Sequence, residues 1–250
     1  MIIGIIPARY GSTRFPGKPL ADIGGKSMIQ RVLEQAKQAT SLSKVIVATD
    51  DERIAEAVSS LGEEVVMTRS DHHNGTDRCQ EAYDRLIADG LIPANPTDYI
   101  INIQGDEPFI DPAQIDELAA ILDGTIELAT QLASVDSAQM LHDPKEAKIV
   151  VNAKNEALYF SRSPIPHLWG IEPDQWHTHH TYHRHVGLYA YRADVLKKIT
   201  QLPPSPLERA ESLEQLRWLE AGFQIKLVPT RYQTPSVDSP ADIEKILRSL

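Results

Sequence analysis

The alternation of apolar and polar positions divides the first half of the chain into a repeating unit. Ile2–Ile6 is a short apolar run, with Pro7 marking its end, and Val45–Ala48, Val65–Met67 and Tyr99–Ile103 are runs of the same kind. Unbroken apolar runs of this length predict strands buried on both faces. Between them, Met28–Ala39, Asp51–Leu61 and Asp77–Ala88 carry apolar residues at helical spacing. This strand–helix alternation predicts an α/β fold with a mainly parallel sheet and helices on both faces. Asp111-Pro112 places a capping acid before a first-turn proline and predicts a helix to about Leu122.

The second half changes character. Leu128–Val135, Ile149–Asn152, Ala157–Phe160 and Val186–Tyr191 read as strands with little helix between them, so the sheet is expected to be mixed. Pro164 to Arg184, rich in Pro, Trp and His, reads as an excursion from the sheet. Ser205-Pro206-Leu207-Glu208 is a capping-box pattern that predicts a helix to about Ala221. Ile225–Val228 is a last strand, and Ser239-Pro240 opens a closing helix. No linker or repeat interrupts the chain. The expectation is a single domain over residues 1–250, with a small β-rich lobe inserted at about 150–192.

Composition narrows the partners. With 35 acids against 25 bases the net charge is −10, which argues against a broad nucleic-acid surface and favours a small anionic ligand in a local basic pocket. The single cysteine, Cys79, excludes an intrachain disulfide. The N-terminal apolar run lacks a charged flank and is too short for a secretory signal, and no segment is long enough to span a bilayer. A cytoplasmic protein is expected.

The candidate chemistry begins in the loop after the first strand. Arg9, Arg14 and Lys18 lie there among Gly11, Ser12, Thr13 and Gly17. Glycines let backbone N–H groups approach phosphate, and fixed cations neutralise it. The loop is not a Walker A motif, because five residues separate Gly11 from Gly17 and Pro19 follows Lys18 where a hydroxyl belongs. Gly25-Lys26-Ser27 has the terminal triplet, but Leu20 occupies the position of the leading glycine. The G-x-G-x-x-G dinucleotide pattern is absent as well. The loop is therefore a candidate phosphate loop of another kind, at the strand end where open α/β sheets collect ligands.

The strand Tyr99–Ile103 runs into Gln104-Gly105-Asp106-Glu107-Pro108, which aims Asp106 at the same rim. A carboxylate beside bound phosphates recruits Mg²⁺; the alternative is an acid that only begins the turn before Pro108. Asp238, beyond the last strand, is a candidate second ligand, or else the residue preceding a helix cap. Six of the nine histidines fall between His167 and His185. Their spacing matches no standard zinc pair, so they read as a polar lobe rather than a metal site. His185 differs in leading into a predicted strand, which would direct it towards a cleft beside Tyr189.

These pieces together resemble one family. Pro7-Ala8-Arg9-Tyr10-x-Ser12-Thr13-Arg14-Phe15-Pro16-Gly17-Lys18-Pro19-Leu20 is similar to the signature loop of the 3-deoxy-manno-octulosonate (Kdo) cytidylyltransferases, the CMP-Kdo synthetases. The likeness continues in order through Ala48-Thr49-Asp50, Met67-Thr68-Arg69-x-Asp71-His72, Gly75-Thr76-Asp77-Arg78 and Gln104-Gly105-Asp106-Glu107-Pro108. It resumes in Ala157-Leu158-Tyr159-Phe160-Ser161-Arg162, Arg184-His185-x-Gly187-x-Tyr189-x-Tyr191-Arg192 and Ser205-Pro206-Leu207-Glu208, and closes with Leu213-Glu214-Gln215-Leu216-Arg217 and Val237-Asp238-Ser239-Pro240-x-Asp242. The departure from the family pattern is concentrated at Pro164–His183.

The resemblance implies a Rossmann-like nucleotidyltransferase fold and a reaction in which CTP and Kdo give CMP-Kdo and pyrophosphate for lipopolysaccharide synthesis, with Mg²⁺. It implies Arg9, Arg14 and Lys18 at the triphosphate, with Asp106 counted beside them as catalytic. Pro7, Ala8, Gly75, Thr76 and Gln104 would lie on the cytidine side, and Asp106 and Asp238 at the metal. Arg162, His185, Tyr189, Glu214 and Gln215 would face the sugar acid, with Arg162 pairing its carboxylate. It also implies a homodimer with the lobe in its interface. Rival readings are a nucleotidyltransferase for sialic acid, for an 8-amino analogue of Kdo or for a sugar phosphate. A non-catalytic nucleotide sensor is another, but the presence of Lys18, Asp106 and Asp238 argues against it.

Overall fold

The computed structural model describes residues 1–11, 15–232 and 235–247. The first half follows the expected alternation: β1 (Ile2–Ala8), α1 (Met28–Ala36), β2 (Lys44–Thr49), α2 (Glu52–Ser60), β3 (Val65–Met67), α3 (Gly75–Ala88), β4 (Tyr99–Asn102) and α4 (Pro112–Ala119). The second half runs β5 (Leu128–Ser134), α5 (Ala138–His142), β6 (Lys148–Val151), β7 (Ala157–Ser161), α6 (Trp176–His179) and β8 (His183–Arg192). It finishes with α7 (Ala193–Ile199), α8 (Pro206–Glu211), α9 (Gln215–Glu220), β9 (Ile225–Pro229) and α10 (Pro240–Leu247).

These strands form one mixed sheet ordered β3-β2-β1-β4-β8-β5-β9, with β6 pairing β7 and one end of β8. Pairing is parallel from β3 to β4 and between β5 and β9, while β8 runs antiparallel to both of its main neighbours. The inner apolar runs of β1, β2 and β4 are buried on both faces, alternate side chains entering opposite cores, while the edge strand β3 leaves Met67 exposed. Ile3, Ile5, Ile46 and Ile100 join the core under α3, whereas Ile6, Val47, Ile101 and Ile103 join the one under α1, α2 and α4. A separate small core, Val135, Leu141, Trp176 and Tyr182, closes the segment around α5 and α6.

Four elements differ from the sequence expectations. Pro7 does not end β1; the strand stays paired with β2 as far as Ala8 and Thr49. Its pairing with β4 stops at Ile5 and Asn102, so the prolyl nitrogen sits where no ladder bond is required. The helix expected from Ser205 to Ala221 breaks into α8 and α9. The capping box forms, but Ser212 turns into left-handed backbone (φ 52°). Arg162 holds that break, donating from Nε to the Glu211 carbonyl at 2.6 Å and from Nη2 to the Ser212 carbonyl at 3.1 Å. Finally, α5 and α7 form where only strands and coil were read.

Strand order explains where a ligand would sit. From β1 the chain winds out through β2 to β3 and then returns to place β4 on the other side of β1. Loops leaving the carboxyl ends of β1 and β4 therefore diverge and leave a crevice between them.

Candidate active site

A cavity of about 250 Å³ occupies that crevice. Pro7, Ala8 and Arg9 at the end of β1 form one side, and Gln104, Gly105 and Asp106 after β4 form the other. Lys18 reaches in from the basic loop, and His72, His73, Asn74 and Gly75 come from the turn that opens α3. Gly17, with φ at 72°, folds the basic loop back, its N–H donating to the Tyr10 carbonyl at 3.0 Å. Only a residue at ease in the left-handed region suits that position.

The charged groups meet at one end. Lys18 Nζ donates to Asp106 Oδ2 at 2.7 Å and lies 4.0 Å from Asp238 Oδ1. Asp238 arrives there because the neighbouring Val237 N–H donates to the Asp106 carbonyl at 2.9 Å and the Val237 side chain is fully buried. Two residues 132 positions apart in sequence thus flank one ammonium group. Among the described residues no group of three or more His, Cys, Asp or Glu forms a metal cluster. Two carboxylates are nonetheless what Mg²⁺ uses when substrate phosphates and water supply its remaining ligands. The oxygen donor set fits that ion, and Lys18 occupies the cation position between the two acids.

Gly105 makes the crevice narrow. A Cβ at this position would lie 2.8 Å from the Pro7 carbonyl oxygen, so only glycine lets the two strand ends approach this closely. Gln104 spans the opening, donating from Nε2 to the Gly187 carbonyl of β8 at 2.9 Å. This bond ties the nucleotide-side crevice to the elements that carry the expected sugar-side residues.

Those residues surround an aromatic wall. Tyr189 and Tyr191 stack at 5.8 Å with an 8° interplanar angle, and Trp218 meets both rings edge-on. His185 lies against Tyr189 and hydrogen-bonds Thr130 Oγ1 at 3.2 Å. Burial, helped by Arg184, pushes its imidazole down to about 4, so His185 is neutral at physiological pH. Thr76 donates its hydroxyl to Glu214 Oε2 at 2.9 Å, which turns this side chain towards the sugar-side group although its neighbour Gly75 lines the cavity. Burial raises the Glu214 carboxyl to about 7, with nearby Asp77 adding to the effect. Gln215 is buried and its Nε2 has no hydrogen-bond partner among the described residues. A buried donor left open is costly unless something else binds it. Glu214 also lines a second depression of about 560 Å³, which shares His73 and Asn74 with the first cavity.

Arg162 has a different setting. Besides the two carbonyls at the helix break, its Nη1 donates to the Pro144 carbonyl at 2.9 Å, so the fork is committed to main chain. Arg14 lies outside the described residues. The sequence reading gave no site role to His72, His73, Asn74 or Arg78, although His72 and Arg78 stand in blocks that carry the family resemblance; all four line the cavity. Arg78 is buried, donating to Thr68 Oγ1 at 2.5 Å and pairing with Asp50 at 3.4 Å. Besides those blocks, the available signal was positional, since these residues follow the end of β3 on the same rim as the basic loop.

Known proteins resemble this chain over nearly its whole length. A cytidylyltransferase family model matches residues 3–227. The 3-deoxy-manno-octulosonate cytidylyltransferase of Parabacteroides distasonis is 53% identical over 253 residues, covering 99% of this chain and 97% of its own. That of Cytophaga hutchinsonii is 50% identical, covering 98% and 96%. A solved structure of CMP:2-keto-3-deoxy-manno-octonic acid synthetase complexed with CTP superposes with a TM-score of 0.89 at 44% identity, covering 99% of this chain and 97% of that one. The chain belongs to the 3-deoxy-manno-octulosonate cytidylyltransferase family.

Proposed function

We propose that this chain transfers CMP from CTP to the anomeric hydroxyl of 3-deoxy-manno-octulosonate, releasing pyrophosphate. The observation that carries the reading is the convergence of Lys18, Asp106 and Asp238 on one end of a crevice bounded by Arg9 and Gln104, in a chain of this family. Arg9 and Lys18 neutralise the triphosphate, and Arg14, from the same loop, joins them in this assignment. Pro7, Ala8, Gly75 and Gln104 frame the cytidine, while Thr76 links that wall to Glu214.

The reaction asks for positioning and charge neutralisation more than for covalent chemistry by the protein. Asp106 and Asp238 would hold Mg²⁺, which supplies Lewis-acid neutralisation of phosphate oxygens when bound. Lys18 then answers the charge that builds on the phosphates as the α-phosphorus is attacked. His185, neutral and fixed by Thr130, together with Tyr189, Glu214 and Gln215, orients the sugar acid through hydrogen bonds. Arg162 contributes by fixing the α8–α9 break that presents Glu214 and Gln215, and the sugar carboxylate reaches its guanidinium only if some of the carbonyl bonds are exchanged. The same reading includes a homodimer, for which the exposed Trp169 and Leu158 offer apolar surface; sedimentation measures it.

The test is pyrophosphate release by purified protein with Kdo and Mg²⁺, comparing CTP with UTP, ATP and GTP. Release that requires CTP, Kdo and the metal supports the reading. Release only with an 8-amino analogue or another 2-keto sugar acid keeps the mechanism and moves the substrate. No release with any pair refutes the activity.

A further inference from the structure

Arg78 and Glu81 stand three positions apart on α3 and so share one face of the helix. Both grip the segment that connects β3 to α3. Arg78 takes Thr68 and the Arg69 carbonyl, and Glu81 accepts the Arg69 N–H at 3.1 Å and Arg85 Nε at 2.8 Å. Glu81 also hydrogen-bonds His72 Nε2. The His72 side chain is only 6% exposed, yet the residue lines the nucleotide cavity; Glu81 does not line it.

The direction of that bond follows from charge. Burial alone would raise the Glu81 carboxyl, but the bonds from Arg69, His72 and Arg85 take it down to about 2. An ionised carboxylate only accepts, so the shared proton sits on Nε2. The other ring nitrogen, Nδ1, makes no hydrogen bond among the described residues. A carboxylate behind a histidine is the usual device for fixing a ring's tautomer and orientation towards a ligand.

We propose that Glu81 is a positioning residue for nucleotide binding, locking His72 so that Nδ1, left as an acceptor, takes a hydrogen bond from an N–H or O–H donor of the nucleoside triphosphate in the cavity. The proposal rests on the cytidylyl-transfer reading only for the identity of that nucleotide. A chain that merely needed Glu81 for folding would have no reason to couple its loss to that of His72 in nucleotide affinity.

The experiment is CTP binding by calorimetry, without sugar acid, for wild type, His72→Ala, Glu81→Ala, Glu81→Gln and the double variants with His72→Ala. Loss of one hydrogen bond from an oriented ring predicts up to about tenfold weaker CTP binding in H72A and E81A. Each double variant should be no weaker than H72A alone, because both changes remove the same contact. E81Q, which still offers an amide oxygen to Nε2–H, should recover part of the loss, and the KM for the sugar acid should not move. Thermal melts without nucleotide report folding, and if E81A unfolds the cycle runs on E81Q. Unchanged CTP affinity in the folded Glu81 variants, or additive losses in the cycle, overturns the proposal. Wild-type CTP binding without turnover on any sugar acid would instead sink the reaction and leave this inference standing.

Discussion

Gly105→Ala tests the geometry of the crevice most directly. The new Cβ would start 2.8 Å from the Pro7 carbonyl oxygen, and ordinary contact begins at 3.4 Å, so the ends of β1 and β4 must separate by about 0.6 Å. Neither end yields easily, since Pro7 is held in the β1–β2 ladder and Ile103 N–H donates to the Ile5 carbonyl at 2.9 Å. The movement would fall on Asp106, whose carboxylate bonds Lys18 and whose carbonyl holds Val237 next to Asp238. Misplacing catalytic groups by 1 Å costs on the order of a hundredfold, so this shift predicts a fall in kcat of at least about tenfold. Overpacking against main chain should also cost about 2 kcal/mol, which for a chain of this size lowers Tm by roughly 4–8 °C. The assays are continuous pyrophosphate release at saturating CTP and a thermal melt. A G105A protein with the wild-type rate and an unchanged Tm would refute the reasoning.

Further outcomes follow from the same contacts. Lys18→Met removes the cation between Asp106 and Asp238 and should lower kcat/KM by about 10²–10³-fold in a steady-state assay; wild-type kcat/KM would remove Lys18 from the mechanism. Glu214, raised to about 7, keeps a proton in the folded chain that the unfolded chain loses near 4.5, so stability falls as pH rises through that window. Glu214→Gln cannot ionise, and its Tm advantage over wild type should therefore grow between about pH 5 and about pH 8; a constant difference would contradict the assignment. Arg162→Ala deprives the Glu211, Ser212 and Pro144 carbonyls of their donor. It should cost about 1–3 kcal/mol in denaturant unfolding and raise the KM for the sugar acid while leaving that for CTP unchanged; an equal rise for both substrates would mean that Arg162 does not act through the helix break.

The parallel half of the sheet was legible because burial on both faces forces unbroken apolar strands, and Ile3–Ile6, Ile46–Ala48 and Tyr99–Ile103 are such runs, whereas the edge run Val65–Met67 leaves Met67 exposed. Asp111-Pro112 and the Ser205–Glu208 capping box were legible for a related reason, since their hydrogen bonds are local. The chain also carries its phosphate-loop cations and the acids Asp106 and Asp238 in plain view, as residue types. What remained hidden depends on partners distant in sequence. The break at Ser212 relies on carbonyl bonds from Arg162, 50 residues earlier, and no periodicity around 205–221 could announce it. The strand order that opens the crevice between β1 and β4 is a property of how the ladders close. The pairing of Lys18 with both acids, and of His72 with Glu81, likewise required folding to place the groups within bonding distance. Local sequence thus determined which elements form and which chemical groups are present. Tertiary structure decided which groups share a cavity and which, like the Arg162 fork, are committed to the main chain, because hydrogen bonding and burial act between neighbours in space.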